Sequence, residues 1–357
     1  MTKFNDLIEF IRGEFNRELN KFPIPEKPGY LYDPIRYTLK GAGKRIRPIL
    51  VHLSGRAFQG DPDPMMKIAL AVELLHNFTL IHDDIMDKDD MRRGKPAVHH
   101  QWDDATAILA GDGIFTMSQL IMSSISMQTD QLLQFFNQAS LELCEGQALD
   151  KEFENNLSIT VDEYLEMIEK KTGALLGACA ALPAILCGKS ESTVEAMDKF
   201  GRNLGKGFQI HDDLLEIFGD PDQMGKSLGS DISEGKQTLM VIMARNRYKK
   251  EWKALSHKKD EEKLEDYRNF FAETGIEAET RGAAREYFEN ADQQLGILPP
   301  ERHIELNNFI SLLSFKRIYF FNEVLLLPIN LSKKSKSFKA FKKSELNPTS
   351  TTLNFDL

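Results

Sequence analysis

Two stretches of this chain carry the same outline of acids. Leu80-Ile-His-Asp-Asp-Ile-Met-Asp is echoed far downstream by Gln209-Ile-His-Asp-Asp-Leu-Leu-Glu, so both read Ile-His-Asp-Asp-x-x-acid. On a helix, residues four apart project from one face. Asp83 with Asp87, and Asp212 with Glu216, therefore form carboxylate pairs about one turn apart, with Asp84 and Asp213 beside them. Like charges at that spacing destabilise an isolated helix by ~0.2–0.5 kcal/mol, and the arrangement asks for a compensating cation. Hard oxygen donors without a His/Cys set suit Mg²⁺, which keeps waters and completes its shell with substrate phosphates. A single Asp-Asp-x-x-Asp is more often a solvated helix face. Two copies, each set in an apolar helix after Ile-His, point to metal and phosphate chemistry.

Cations stand where a polyanion would need them. Gly41-Ala-Gly-Lys-Arg-Ile-Arg-Pro groups Lys44, Arg45 and Arg47 with two glycines, which let a backbone approach an anion closely. Arg92 and Arg93 follow the first acidic cluster, and the arginine fork suits phosphate. Lys171-Thr172 precedes an uncharged stretch, and Lys226 and Lys236 frame a segment rich in Gly and Ser. Gly219 to Ser227 has a superficial likeness to a nucleotide P-loop. Its glycine spacing is one residue too long, Pro221 lies inside it, and a helical rather than a strand pattern precedes it.

The elements that must carry these groups read as helices. Apolar residues recur at helical spacing as far as about Phe315, and sustained strand alternation is nearly absent, so the fold class is all-α. Between Met65 and Met86, Ile68, Ala71, Val72 and Leu75 form one apolar stripe. Glu73, His76, Leu80, Asp83 and Asp87 form a second, polar one. The uncharged stretch from Thr172 to Gly188, interrupted by Pro183, reads as a buried pair of helices. Loops are marked by the prolines between Pro23 and Pro28, by Gly60-Asp-Pro-Asp-Pro, by Gly94-Lys-Pro and by Gly219-Asp-Pro-Asp.

The chain has 357 residues, 41% hydrophobic and 28% charged, a globular balance. Its net charge of −9 argues against a nucleic-acid wrapper. The uncharged stretch is shorter than the ~20 residues of a membrane span, and the first residues lack the pattern of a secretory signal. No transmembrane segment and a cytoplasmic location are therefore expected. Cys144, Cys179 and Cys187 are odd in number, without close pairing, and read as reduced thiols in apolar surroundings. One helical domain is expected over 1–317. A Lys/Ser-rich, loosely attached tail follows over 318–357.

With these motifs in this order, the chain resembles the trans-prenyltransferases, the polyprenyl (isoprenyl) diphosphate synthases. The family's DDxxD followed by RRG is matched by Asp83, Asp84, Asp87 and Arg92-Arg93-Gly94. Its GKxxRP is matched by Gly43-Lys-Arg-Ile-Arg-Pro48, and its FQxxDDxxD by Phe208 to Glu216 with Glu in place of the last Asp. Its GKxxGxDxxxGKxT runs from Gly225 to Thr238. The resemblance spans about Asp33 to Arg317.

It implies an isoprenoid synthase-type helical bundle around a central cavity, a homodimer, and Mg²⁺ with Mn²⁺ as a substitute. It also implies head-to-tail condensation of isopentenyl diphosphate with dimethylallyl, geranyl or farnesyl diphosphate. Asp83, Asp84, Asp87, Asp212, Asp213 and Glu216 would hold metal. Arg92, Lys171, Lys226 and Lys236 would hold the allylic diphosphate. Lys44, Arg47, His76 and Arg93 would hold isopentenyl diphosphate, and Thr172 and Gln209 would face the carbocation. Phe78 and Thr79, about 6–8 Å below Asp83 at ~1.5 Å per residue, resemble the floor of enzymes that stop at geranylgeranyl diphosphate. Farnesyl diphosphate is the alternative product. A terpene cyclase would not need the Lys44/Arg47/Arg93 set, and a non-catalytic prenyltransferase subunit would be expected to lack one acidic cluster.

Overall fold

The structure, a computed structural model, describes residues 2–41, 43–219, 232, 234–256 and 263–314. Lys226 and the tail over 318–357 lie outside the described residues. Ten helices run to the second acidic motif: α1 (Thr2–Lys21), α2 (Gly29–Leu39), α3 (Ile46–Ala57), α4 (Pro62–Asp87), α5 (Val98–Gln101), α6 (Asp104–Ser123), α7 (Thr129–Phe153), α8 (Val161–Ile168), α9 (Ala174–Leu186) and α10 (Glu191–Phe218). Further helices follow at Leu239–Arg247, Lys249–Ser256, Lys263–Glu273, Ile276–Gln294 and Pro300–Leu313. The all-α expectation holds.

Each acidic motif ends one of the longest helices. In α4, Asp61 accepts from the Asp63 amide at 3.1 Å and Pro62 occupies the first turn, so the expected Gly60 to Pro64 loop is in large part a helix start. In α10, Ser190 accepts from the Thr193 amide at 3.3 Å, and the helix stops at Gly219. The carboxylates thus occupy the last two turns of both helices, where the macrodipole is itself negative. That adds to the demand for cations at these ends.

The apolar stripe of α4 is buried as its spacing requires: Ile68, Ala71, Val72 and Leu75 have no significant exposure. Glu73, on the polar stripe, is buried as well. Around α4 pack α3, α6 and α9, and α10 packs on α9 and on Ile276–Gln294. Every residue of α9 is buried. The expected helix pair is a single helix, Ala174–Leu186, which carries Pro183 within its last turn and ends three residues beyond it. Two helices, Pro62–Asp87 and Asp104–Ser123, are long and apolar enough to cross a membrane, though 67% of the first one's apolar window is buried inside the protein.

Between α8 and α9 the chain widens into one π-helical turn, Glu169–Gly173, which carries Lys171 and Thr172. Glycines clamp it. A Cβ at Gly146 of α7 would collide with the Lys171 backbone, and one at Gly205 of α10 would stand 2.6 Å from the Gly173 Cα. Such turns inside helices recur at functional sites.

After α4 a two-residue hairpin pairs β1 (Met91–Arg92) with β2 (Lys95–Pro96), in the register Met91 to Pro96 and Arg92 to Lys95. Its turn places Arg93 at φ 53° and Gly94 at φ 73°, the left-handed pair of a tight hairpin turn. The Arg-Arg-Gly run is therefore a device that aims two arginines in different directions. Tyr37 donates to the Pro96 carbonyl at 2.8 Å and ties the hairpin to α2. Cys179 is buried, with its thiol pushed up to about 12 by burial. Cys144 is exposed, contrary to the apolar setting expected for all three cysteines.

Candidate active site

At the end of α4 the three acids have different surroundings. Asp84 is 2% exposed, and its Oδ1 accepts from Arg92 Nε at 2.7 Å and again from Nη2, which also reaches Asp89 at 3.1 Å. Asp87 accepts from Lys151 Nζ at 3.2 Å. Burial raises Asp83 to about 6, with the ammonium of Lys171 opposing this and the charge of Asp87 adding to it. Lys171 itself donates to Asp150 at 2.5 Å. Lys151 and Asp150, both on α7, are site residues that the motifs did not signal. Lys151 supplies part of the compensation that the paired carboxylates demanded, whereas Asp150 adds a further negative charge beside Asp83 and engages Lys171.

At the end of α10, Asp212 is exposed while Asp213 and Glu216 are buried. Asp213 Oδ2 accepts from the Tyr164 hydroxyl at 2.7 Å, and Oδ1 accepts from Gln209 Nε2 at 2.9 Å. Gln209 Oε1 in turn accepts from the Thr172 hydroxyl at 2.9 Å. The π-helical turn thus joins the two acidic ends. Its Lys171 acts on Asp83, and its neighbour Thr172 bonds to the glutamine one turn before Asp213. Lys236 pairs with Glu234 at 3.2 Å.

The second cationic group assembles from α3, α4 and the hairpin. Burial lowers both Arg47 and Arg93, and Glu73 partly offsets this. Packing also lowers Lys44, opposed by the charge of Asp212. Burial, with Arg47, Arg93, Arg92 and Arg45 around it, holds His76 well below its usual 6.5, so it is neutral. The crowding costs electrostatic free energy that a bound polyanion would relieve. Arg47 Nε is buried with no hydrogen-bond partner among the described residues.

Two expectations for this loop change. Arg45 is an internal brace, not an open cation. At φ 54° it bonds Glu73 at 2.5 Å, Asn16 at 3.0 Å and the Gly41 carbonyl at 2.9 Å. Gly43 makes room for a neighbouring guanidinium: a Cβ there would stand 3.1 Å from Arg93 Nη1.

Below the first acids, Phe78 lies edge-on to His82 with centroids 4.7 Å apart, and 5.3 Å from Phe115 of α6. Thr79 is buried, its hydroxyl donating to the His76 carbonyl at 2.8 Å. The donors at both helix ends are carboxylates, the set that fits Mg²⁺. Among the described residues no three His, Cys, Asp or Glu side chains converge on one point. Metal held here would therefore share its shell with substrate oxygens.

The polyprenyl synthetase family model matches residues 28–274. A geranylgeranyl diphosphate synthase of Methanosarcina mazei is 41% identical over 278 residues, covering 76% of this chain and 85% of its own. A geranylfarnesyl diphosphate synthase of Natronomonas pharaonis is 40% identical over 256 residues, 66% of this chain and 75% of its own. The crystal structure of a geranylgeranyl pyrophosphate synthetase from Pyrococcus horikoshii Ot3 superposes with a TM-score of 0.81 at 34% identity, over 88% of this chain and 100% of that one.

Proposed function

Since the chain belongs to the polyprenyl synthetase family, and is therefore a prenyltransferase that makes short-chain prenyl diphosphates, we propose how its own residues divide the work and where the product stops. The C1–O bond of the allylic diphosphate breaks, and pyrophosphate leaves with the electron pair. The double bond of isopentenyl diphosphate attacks C1, and a proton then passes from the new cation to a pyrophosphate oxygen.

Arg92, braced by Asp84, together with Lys171, Lys226 and Lys236, binds the leaving group. Lys44, Arg47 and Arg93, with neutral His76, bind the second diphosphate, which is not ionised. Thr172 and Gln209 turn oxygen lone pairs toward the cation. Mg²⁺, for which Mn²⁺ would substitute, would be held by Asp83, Asp87, Asp212 and Glu216 and would supply positive charge against the departing pyrophosphate. Asp84 and Asp213 serve in this proposal as braces, the first held by Arg92 and the second by Tyr164 with Gln209.

The observation that carries this reading is the arginine nest around His76, whose Arg47 and Arg93 are paired with neither acidic motif among the described residues. A cyclase that ionises one diphosphate has no use for a second anion site. The test is incubation with labelled isopentenyl diphosphate, Mg²⁺ and each allylic primer in turn, followed by chain-length analysis. Geranylgeranyl diphosphate is expected as the longest major product, and no elongation with any primer would overturn the reading.

The same reading includes a homodimer. Ile108, Leu109 and Leu120 on α6 and Leu141 on the adjacent α7 are exposed, and a second copy of this face would cover them. Light scattering should give twice the chain mass, and Leu109→Lys with Leu120→Lys should return it to one.

A further inference from the structure

Tyr164 is 1% exposed and stands in no motif, yet its hydroxyl reaches a carboxylate of the second acidic cluster. Local structure fixes where it points. Thr160 and Glu163 cap α8 reciprocally: the Thr160 hydroxyl accepts from the Glu163 amide at 3.2 Å, and Glu163 Oε2 accepts from the Thr160 amide at 2.7 Å. Tyr164 follows the cap directly and enters the same apolar cluster as Ile210 and Leu214 of α10. Its ring is packed on the helix whose acid it touches.

The direction of every bond in the chain follows from one fact: an ionised carboxylate only accepts. Tyr164 must donate to Asp213 Oδ2. The Gln209 atom facing Asp213 Oδ1 must be the amide nitrogen, so its oxygen faces Thr172. The Thr172 hydroxyl must then donate to Gln209. With that proton committed, Thr172 Oγ1 offers only lone pairs to anything else, and so does Gln209 Oε1.

We propose that Tyr164 is a positioning residue that, through Asp213 and Gln209, holds the Thr172 and Gln209 oxygens with their negative ends toward the allylic cation. This inference rests on the prenyltransferase reading above. It assigns Asp213 a partner and a purpose distinct from metal binding. A Thr172 hydroxyl free to rotate could point its proton at the cation and would destabilise it. The chain removes that orientation before substrate arrives, which is electrostatic preorganisation built from three hydrogen bonds.

Tyr164→Phe removes one oxygen and leaves the ring. The expected result is a fall in kcat of about tenfold, with KM for both diphosphates within about twofold of wild type. Two inhibitors separate positioning from plain structure. One is an allylic diphosphate analogue with a trialkylammonium nitrogen at the cationic carbon, and the other is geranyl S-thiolodiphosphate, which carries no such charge. Tyr164→Phe should weaken the ammonium analogue by about tenfold and the thiolodiphosphate by less than about twofold. In a Gln209→Met background the substitution should add nothing further.

An unchanged ratio of the two affinities, or additive effects of the two substitutions, would overturn the proposal. If Tyr164→Phe does not fold, Asp213→Asn, whose amide no longer dictates direction, must lower the same ratio; no change there also overturns it. A wild-type enzyme that forms no prenyl diphosphate would sink the reaction proposed above, while the two affinities still decide the hydrogen-bond chain.

Discussion

Arg92 Nε lies 2.7 Å from Asp84 Oδ1, in a pair whose carboxylate is almost entirely buried. The second aspartate of the first motif is thus committed to an arginine of the following hairpin, just as the second aspartate of the other motif is committed to Tyr164 and Gln209. In both clusters the middle acid is held by another side chain; in the second, Asp212 is exposed while Glu216 is as buried as Asp213.

Asp84→Asn should therefore act on Arg92. Turnover is expected to fall by about 10²-fold, near the 2.7–4 kcal/mol of one lost preorganised contact. Arg92→Lys should not restore it, because a lysine cannot reproduce the fork that reaches Asp84 and Asp89 together. Steady-state kinetics with geranyl diphosphate check both, and a fully active Asp84→Asn would show that the brace is dispensable.

Removing divalent metal should stop catalysis without unfolding the protein. The core around α9 is apolar, and no metal-ready cluster exists among the described residues. EDTA is expected to abolish product while shifting the melting temperature by less than about 1 °C, under about 1 kcal/mol for a chain of this size. Asp83→Ala and Asp212→Ala should behave like EDTA, and full turnover in either would remove the acids from the mechanism.

Arg45 and Glu73 form a buried ion pair, 5% and 3% exposed at the side chains, beneath the arginine nest. Glu73→Ala would strand the guanidinium, and a loss of about 3–5 kcal/mol in urea unfolding is expected. The paired change Arg45→Met with Glu73→Leu should recover most of it. A Glu73→Ala protein as stable as wild type would contradict the buried geometry.

Stability should fall with acid through His52. Burial, with Arg56 adding to it, lowers His52 to about 4, and its Nε2 has no hydrogen-bond partner among the described residues. The folded value lies below the unfolded 6.5, so the unfolded chain binds more protons between them. The stabilisation is complete above about pH 6.5 and is lost as pH drops toward 4, with a ceiling of about 3 kcal/mol. Urea midpoints across that range should slope less in His52→Gln; an identical slope would exclude His52 as the cause.

Phe78→Ala should lengthen the product. The ring meets His82 edge-on and Phe115 at a tilt, a little more than one turn below Asp83, and its loss is expected to open room for a longer chain. Mass spectrometry of the dephosphorylated products should show a shift past twenty carbons, and an unchanged distribution would move the floor elsewhere.

The all-α class, the two acidic helix ends and the cations beside them are legible in the chain alone. Those features are local: helical spacing puts Asp83 over Asp87, and Gly94 accepts the positive φ that the turn after Arg92 needs. Which charges are spent on one another is visible only in the folded protein. Tyr164 and Asp213 are 49 residues apart, and Lys151 and Asp87 are 64 apart, and no periodicity joins them. Arg45 and Arg47 look alike in the chain, yet burial against Glu73 makes the first a brace and leaves the second facing a neutral histidine. The physical reason is that burial and pairing set the state of an ionisable group, and both depend on what folding brings alongside it.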